Sequence, residues 1–221
     1  MRTRLIFVRH GESVHQVDGT VGGPHGCRGL TALGHDQAHR LARRLAEDHA
    51  VDRPVAVYSS VLRRTVETAQ PIAAAFGLRA VADCGLCTWH TPPYADGLPL
   101  TRFRSEHAAV GGGLFRPFET GNESWAELVV RISRAIMEIA QRHRGSTVVL
   151  VGHTATVEVA FHALAAQPLH RGFDLVIAPA SITEWTTDHD TSAWPPARWA
   201  LHRFGDTGGW ATGRSSIGGP A

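Results

Sequence analysis

The chain has 221 residues, 43% hydrophobic and 19% charged, enough to bury one sizeable core. Its formal net charge of +2, with basic residues dispersed among acidic ones, gives no stripe for nucleic acid, so any anion site must be local. The sequence has no apolar run of about 18 residues, which excludes a transmembrane helix, and its three cysteines fit a reducing compartment better than a disulfide framework.

In chain order, Leu5, Ile6, Phe7 and Val8 form a continuous apolar run, which suits a strand covered on both faces, with Arg9 and His10 where that strand ends. The run is too short for a signal-peptide core and is followed at once by charge, so a cytoplasmic location is expected. Thr31 is an N-cap for a helix that carries Ala38, Leu41, Ala42 and Leu45 at three-and-four spacing. A strand over 55–60 and a helix over 65–76 follow. Residues 88–121 hold Pro92, Pro93, Pro99, Pro117 and three successive glycines, and read as a variable lid or insert with one short helix within 98–110. A helix over 125–143 stops before Gly145, and a strand over 147–152 runs into His153. Two more strands are expected at 181–188 and 198–204. The Gly- and Ser-rich residues 205–221 are expected to form a flexible tail. The prediction is one domain, 1–204, an α/β three-layer sandwich whose mainly parallel sheet carries helices on both faces.

Three strand ends thus deliver cationic or titratable side chains: Arg9 with His10, then Arg64, then His153. Ligands of open α/β sheets collect at the carboxyl ends of strands. Arginine donates two parallel hydrogen bonds to phosphate oxygens, and histidine donates, accepts or attacks, so this set suits a phosphoryl group. The glycine-rich residues 21–27 offer backbone donors to a phosphate, or form a plain turn. Cys84 and Cys87 have the thioredoxin spacing and, with His90 or Cys27, the makings of a metal site; two reduced packing cysteines are the alternative.

Arg9-His10-Gly11-Glu12-Ser13, followed in order by LTALGHDQA (30–38), SSVLRRTVETA (59–69), GNESW (121–125), VLVGH (149–153), SIT (181–183) and FGDTG (204–208), resembles the histidine phosphatase, or phosphoglycerate mutase-like, superfamily. The resemblance implies that His10 is the nucleophile that becomes a phosphohistidine. It implies that Arg9 and Arg64, rather than Arg63, bind the phosphoryl oxygens and that His153 donates to them. Gln16 and Thr154 fall at substrate-contact positions where the family often has Asn and a glycine, and Glu123 aligns with a frequent family glutamate that contacts substrate or serves as a charge at the helix N-terminus. No metal and no cofactor are implied, and the partner is a small phosphorylated metabolite rather than nucleic acid or membrane; nothing in the sequence specifies an oligomer.

One departure stands out. Counted through Asp83 to Cys87, the place of the family's proton-donating carboxylate falls on Thr88, a poor acid near neutral pH. General acid catalysis contributes about two to four powers of ten, and His90 and Asp96 are the nearest substitutes. The expected function is a metal-independent phosphatase acting on a small phosphomonoester. The alternatives are a mutase-type phosphotransferase, with Arg102, Arg104 and Arg116 as extra anion clamps, and a catalytically weakened homologue that only binds a phosphorylated ligand.

Overall fold

A computed structural model describes all residues except 108–112, 118, 171, 173 and 210–221. Six strands, β1 (Thr3–Arg9), β2 (Pro54–Ser59), β3 (Ala80–Ala82), β4 (Thr147–Gly152), β5 (Ile182–Thr187) and β6 (Ala200–Asp206), form one sheet in the order β3-β2-β4-β1-β5-β6. The pairs β3/β2, β2/β4 and β4/β1 are parallel, and β5 runs antiparallel to both β1 and β6. The helices are α1 (Val14–Val17), α2 (Ala32–Asp48), α3 (Arg63–Ala75), α4 (Leu100–Glu106), α5 (Trp125–Arg142) and α6 (Thr154–Ala165). None of them is long and apolar enough to cross a membrane.

Strand side chains alternate between faces, so the sheet fills two cores at once. Leu5, Phe7, Tyr58, Val148 and Leu150 pack with α5 and α6, whereas Ile6, Val8, Val57, Val149 and Val151 pack with α2 and α3. Leu5 to Val8 are all fully buried, which is why that stretch reads as an unbroken apolar run. Truncating Phe7 or Leu150 to Ala would cost about 2–5 kcal/mol through lost burial and the cavity left behind.

The three-layer α/β architecture is as predicted, with local differences. Pro54 opens β2, and α3 begins at Arg63 rather than at residue 65, so Arg64 sits in a helical first turn. The pattern analysis overlooked α6 because its sequence is apolar nearly all round: Ala155, Val157, Val159, Ala160 and Leu164 are all buried. It also overlooked β3, three residues long and half-exposed, and the single-turn α1. The short helix of the 88–121 segment is α4; residues 108–112 of that segment lie outside the described residues, as do 210–221 of the tail. Strand β6 continues to Asp206, past the expected start of the tail at 205.

One close approach positions the end of β1. A Cβ on Gly11 would lie 2.6 Å from the Gly34 carbonyl oxygen, and one on Gly34 would lie 2.0 Å from that of Glu12. Only glycine at both places lets the first turn of α2 touch the chain leaving β1. Thr31 Oγ1 caps that turn by accepting from the Gly34 amide at 3.0 Å.

Candidate active site

Strands β1 and β4 are adjacent and parallel, with Arg9 opposite Gly152, so the residues that follow each, His10 and His153, emerge side by side. The His10 amide donates to the Gly152 carbonyl at 3.0 Å. The two rings meet edge to face with centroids 5.3 Å apart. His10 Nδ1 lies 2.7 Å from the Gly11 carbonyl oxygen. A carbonyl only accepts, so Nδ1 carries the ring proton and Nε2 presents its lone pair. Strand β2 lies on the other side of β4, which brings Ser60 to the same edge: its Oγ is 2.8 Å from His153 Nε2. Arg64 Nη2 lies 3.4 Å from His153 Nδ1. A guanidinium only donates, so His153 accepts at Nδ1 and its proton sits on Nε2, toward Ser60.

Arg64 is 3% exposed, and its Nη1 donates to the Gly22 carbonyl at 2.8 Å. Arg9 Nη1 donates to the carbonyl of Ile177. The Nε atoms of both arginines are buried without a hydrogen-bond partner, and among the described residues no carboxylate forms an ion pair with either. The electrostatics follow from this. Burial, and then the facing Arg64, lower the Arg9 guanidinium to about 10, and burial lowers Arg64 as well. Burial first and the two arginines with it hold His10 and His153 well below the ordinary histidine range. The edge therefore holds two buried cations and two neutral imidazoles with no carboxylate in an ion pair, Asp96 acting on Arg64 only at longer range, a combination that an arriving anion relieves.

The histidine phosphatase superfamily (branch 1) model matches residues 5–200. The chain belongs to that superfamily. It is 28% identical over 212 residues, 92% of this chain and 93% of the relative, to the probable phosphoglycerate mutase GpmB of Yersinia enterocolitica. It is 30% identical over 156 residues to the metal-independent phosphoserine phosphatase of Arabidopsis thaliana, covering 68% of this chain and 64% of that one. Among solved structures, YhfR of Bacillus stearothermophilus superposes with a TM-score of 0.75 at 23% identity, covering 92% and 97% of the two chains. A mycobacterial glucosyl-3-phosphoglycerate phosphatase in complex with VO3 superposes with a TM-score of 0.73 at 23% identity, covering 92% and 99%. These superpositions carry the histidine phosphatase fold.

The remaining candidates lie as follows in this histidine phosphatase. Thr154 opens α6 directly after His153 and is half-buried. Gln16 is exposed, and its Oε1 accepts from Ser13 Oγ at 2.8 Å. The Glu123 carboxylate is taken by Arg131, whose Nε donates to Oε2 at 3.0 Å. The same guanidinium donates to the carbonyls of Cys84, Gly85, Cys87 and Thr88, fixing the loop that carries Thr88. Glu123 thus anchors a loop, a role its position before α5 did not reveal.

Both substitutes for the missing acid are engaged elsewhere. Asp96 accepts from the amides of Gly23 and Gly26 at Oδ1, each at 2.8 Å, and from that of His25 at Oδ2, 2.7 Å. It ties its own loop to residues 21–27 by taking the amides of Gly23, His25 and Gly26. The exposed His90 ring sits 3.4 Å from Cys84 Sγ and 4.0 Å from a Glu123 oxygen. Arg63 is solvent-exposed and pairs with Glu67 at 2.6 Å.

Three contributors went unread in the sequence. Ser60 orients His153, and Arg131 orders the 84–88 loop. His15, on α1, has its ring centroid 6.5 Å from that of His10 and is held by Ser13 Oγ at 3.0 Å. Burial, then Arg64 and Arg9, lower it to about 3. Gly22 backs onto it so closely that a Cβ there would lie 2.4 Å from ring atoms. The available signal for His15 was its place five residues after His10, within the segment that leaves β1.

Proposed function

We propose that this chain is a metal-independent phosphatase that hydrolyses a small phosphomonoester through a phosphohistidine on His10. The observation that carries this reading is the pair of buried guanidiniums, Arg9 and Arg64, without carboxylate partners, beside an imidazole whose Nδ1 is tied to Gly11. Phosphoryl transfer is mostly positioning plus stabilisation of charge on the equatorial oxygens. Arg9 and Arg64 supply that stabilisation, and Arg64 turns from His153 to the phosphoryl oxygens. His10 Nε2 attacks phosphorus in line with the leaving alkoxide or aryloxide oxygen, whose bond to phosphorus breaks as the new bond forms. The imidazolium so created is stabilised by its Nδ1 hydrogen bond. The incoming anion favours the protonated form of His153, whose Nδ1 then donates to a phosphoryl oxygen. Water subsequently displaces His10 from phosphorus, releasing inorganic phosphate.

A phosphomonoester hydrolase accords with the phosphatase names among its relatives, phosphoserine phosphatase and glucosyl-3-phosphoglycerate phosphatase. The Yersinia relative's name supports a second reading, phosphoglycerate mutase. A cytoplasmic location fits the three free thiols.

The test is phosphate release from a panel of phosphomonoesters, including an aryl phosphate with a good leaving group, by the native chain and by His10→Ala. Release that disappears in His10→Ala supports the phosphatase. Isomer interconversion of a phosphoglycerate without net release selects the mutase. No reaction with any substrate leaves the ligand-binding homologue.

A further inference from the structure

We propose a divalent metal site of the zinc class, formed by Cys84, Cys87 and His90, on the loop that flanks the active site. Among the described residues this is the one cluster of three metal-ligating side chains, and its ligand atoms all lie within 4.8 Å of one another. Zinc binds thiolate sulfur at about 2.3 Å and imidazole nitrogen at about 2.0–2.1 Å in tetrahedral geometry. A tetrahedron of that size puts neighbouring ligand atoms roughly 3.5–3.8 Å apart. Cys84 Sγ and His90 Nε2 already stand 3.4 Å apart. Small side-chain rotations close the rest, because Cys84 and His90 are both exposed and free to turn.

A second observation distinguishes a metal site from a redox dithiol. His90 offers Nε2 to the cluster while its other nitrogen, Nδ1, faces the Glu123 carboxylate at 4.0 Å. Metal-bound histidines commonly present the second ring N–H to a carboxylate, which fixes the tautomer and strengthens the donor nitrogen. The backbone is prepared as well: the 3₁₀ turn Cys84–Leu86 places the two cysteines three apart. Arg131 holds the carbonyls of Cys84, Gly85 and Cys87 from behind.

Two cationic groups act on the cluster: Arg131, whose guanidinium is already paired with Glu123, and Arg64, whose charge reaches Cys87. Binding releases one proton from each thiol to solvent. Two thiolates and Glu123 then offset Arg131 and the dication, and Arg64 further favours the Cys87 thiolate. Three protein ligands leave a fourth position for water. None of Arg9, Arg64, His10 and His153 is among the cluster's ligands, so the metal takes no direct part in the phosphoryl chemistry proposed above. Its effect is to lock the 84–90 loop, which carries Thr88.

The test is a Co²⁺ titration of the reduced full chain followed by Zn²⁺ displacement. Imidazole-only binding at His10, His15 and His153 produces no thiolate-to-metal charge-transfer band, so that band reports this site alone. The expected result is a near-ultraviolet band saturating at one equivalent of Co²⁺ and abolished by Zn²⁺. It should be absent in Cys84→Ser, weakened at least tenfold in affinity in His90→Ala, and unchanged in Cys27→Ser, whose thiol lies outside the cluster. Cys84 is exposed, so its serine variant retains the core, and circular dichroism verifies this. No thiolate band in the reduced native chain overturns the proposal, as does an undiminished band in Cys84→Ser. A Cys84–Cys87 disulfide whose reduction restores no metal affinity overturns it too.

Discussion

The Ser60 hydroxyl stands 2.8 Å from His153 Nε2, held there because β2 and β4 are parallel neighbours whose ends coincide. The same hydroxyl lies 2.8 Å from Thr65 Oγ1, so its position is set before any ligand arrives. Ser60→Ala removes, along with its contact to Thr65, the hydrogen bond to His153, worth about 1 kcal/mol. The expected result is a fall in kcat of several-fold to tenfold with KM little changed, because His153 loses orientation rather than substrate affinity. Steady-state kinetics across pH checks this, since an unrestrained His153 also shifts the acidic limb of the profile.

Arg64 is the most exacting of the cations to replace. Lysine keeps the charge but loses the planar pair of donors. Removal of one preorganised donor to a developing oxyanion typically lowers kcat by about 10²–10³, and Arg64→Lys is expected to fall in that range. Inorganic phosphate should raise the melting temperature of the native chain, and of Arg64→Lys much less, because a ligand bound only by the folded state stabilises it.

Acid should destabilise the protein through its buried imidazoles. His10, His15 and His153 all have folded pKa values below the unfolded value of about 6.5. Below that pH the unfolded chain binds protons that the pocket refuses, so stability is full above about 6.5 and is lost as pH falls. Each histidine contributes a slope of up to about 1.4 kcal/mol per pH unit in this window. Chemical denaturation between pH 7 and pH 5 measures the slope, and His15→Gln should reduce it by about one proton.

Arg131 holds a loop rather than a ligand. Its guanidinium is half-buried against Glu123 and four carbonyls, so Arg131→Met leaves a largely buried carboxylate unpaired. A loss of about 2–3 kcal/mol is expected, less than for a fully buried pair because solvent still reaches the site. Urea unfolding gives the number directly, and Glu123→Gln in the same background should add little further loss.

The parts of this molecule that are legible in sequence are those where one physical signal dominates. Strands buried on both faces have no polar alternation, so Leu5–Val8 and Thr147–Gly152 stand out and point to the residues that follow them. Helices α2 and α5 show their single apolar stripes. Helix α6 does not, since it is packed on most sides and carries no stripe to detect. The partners of Glu123 and Asp96 were hidden for a related reason. A carboxylate near a strand-end loop looks available for chemistry, but the Asp96 partners, the amides of Gly23, His25 and Gly26, lie about 70 residues back, and Arg131 meets Glu123 from two turns into α5, pairings that local sequence does not encode. His15 and Ser60 share that difficulty: each matters because of the neighbouring strand or loop, not because of its own surroundings in sequence.

The central claim is that His10 is the nucleophile, and the most direct measurement is to quench turnover of a phosphomonoester in alkali and locate covalent phosphate by mass spectrometry. A phosphoryl group on His10 that appears within turnover, clears when substrate is exhausted and is absent from His10→Ala is the predicted result. Phosphate release by the native chain with no label on His10, or sustained release by His10→Ala, would contradict it.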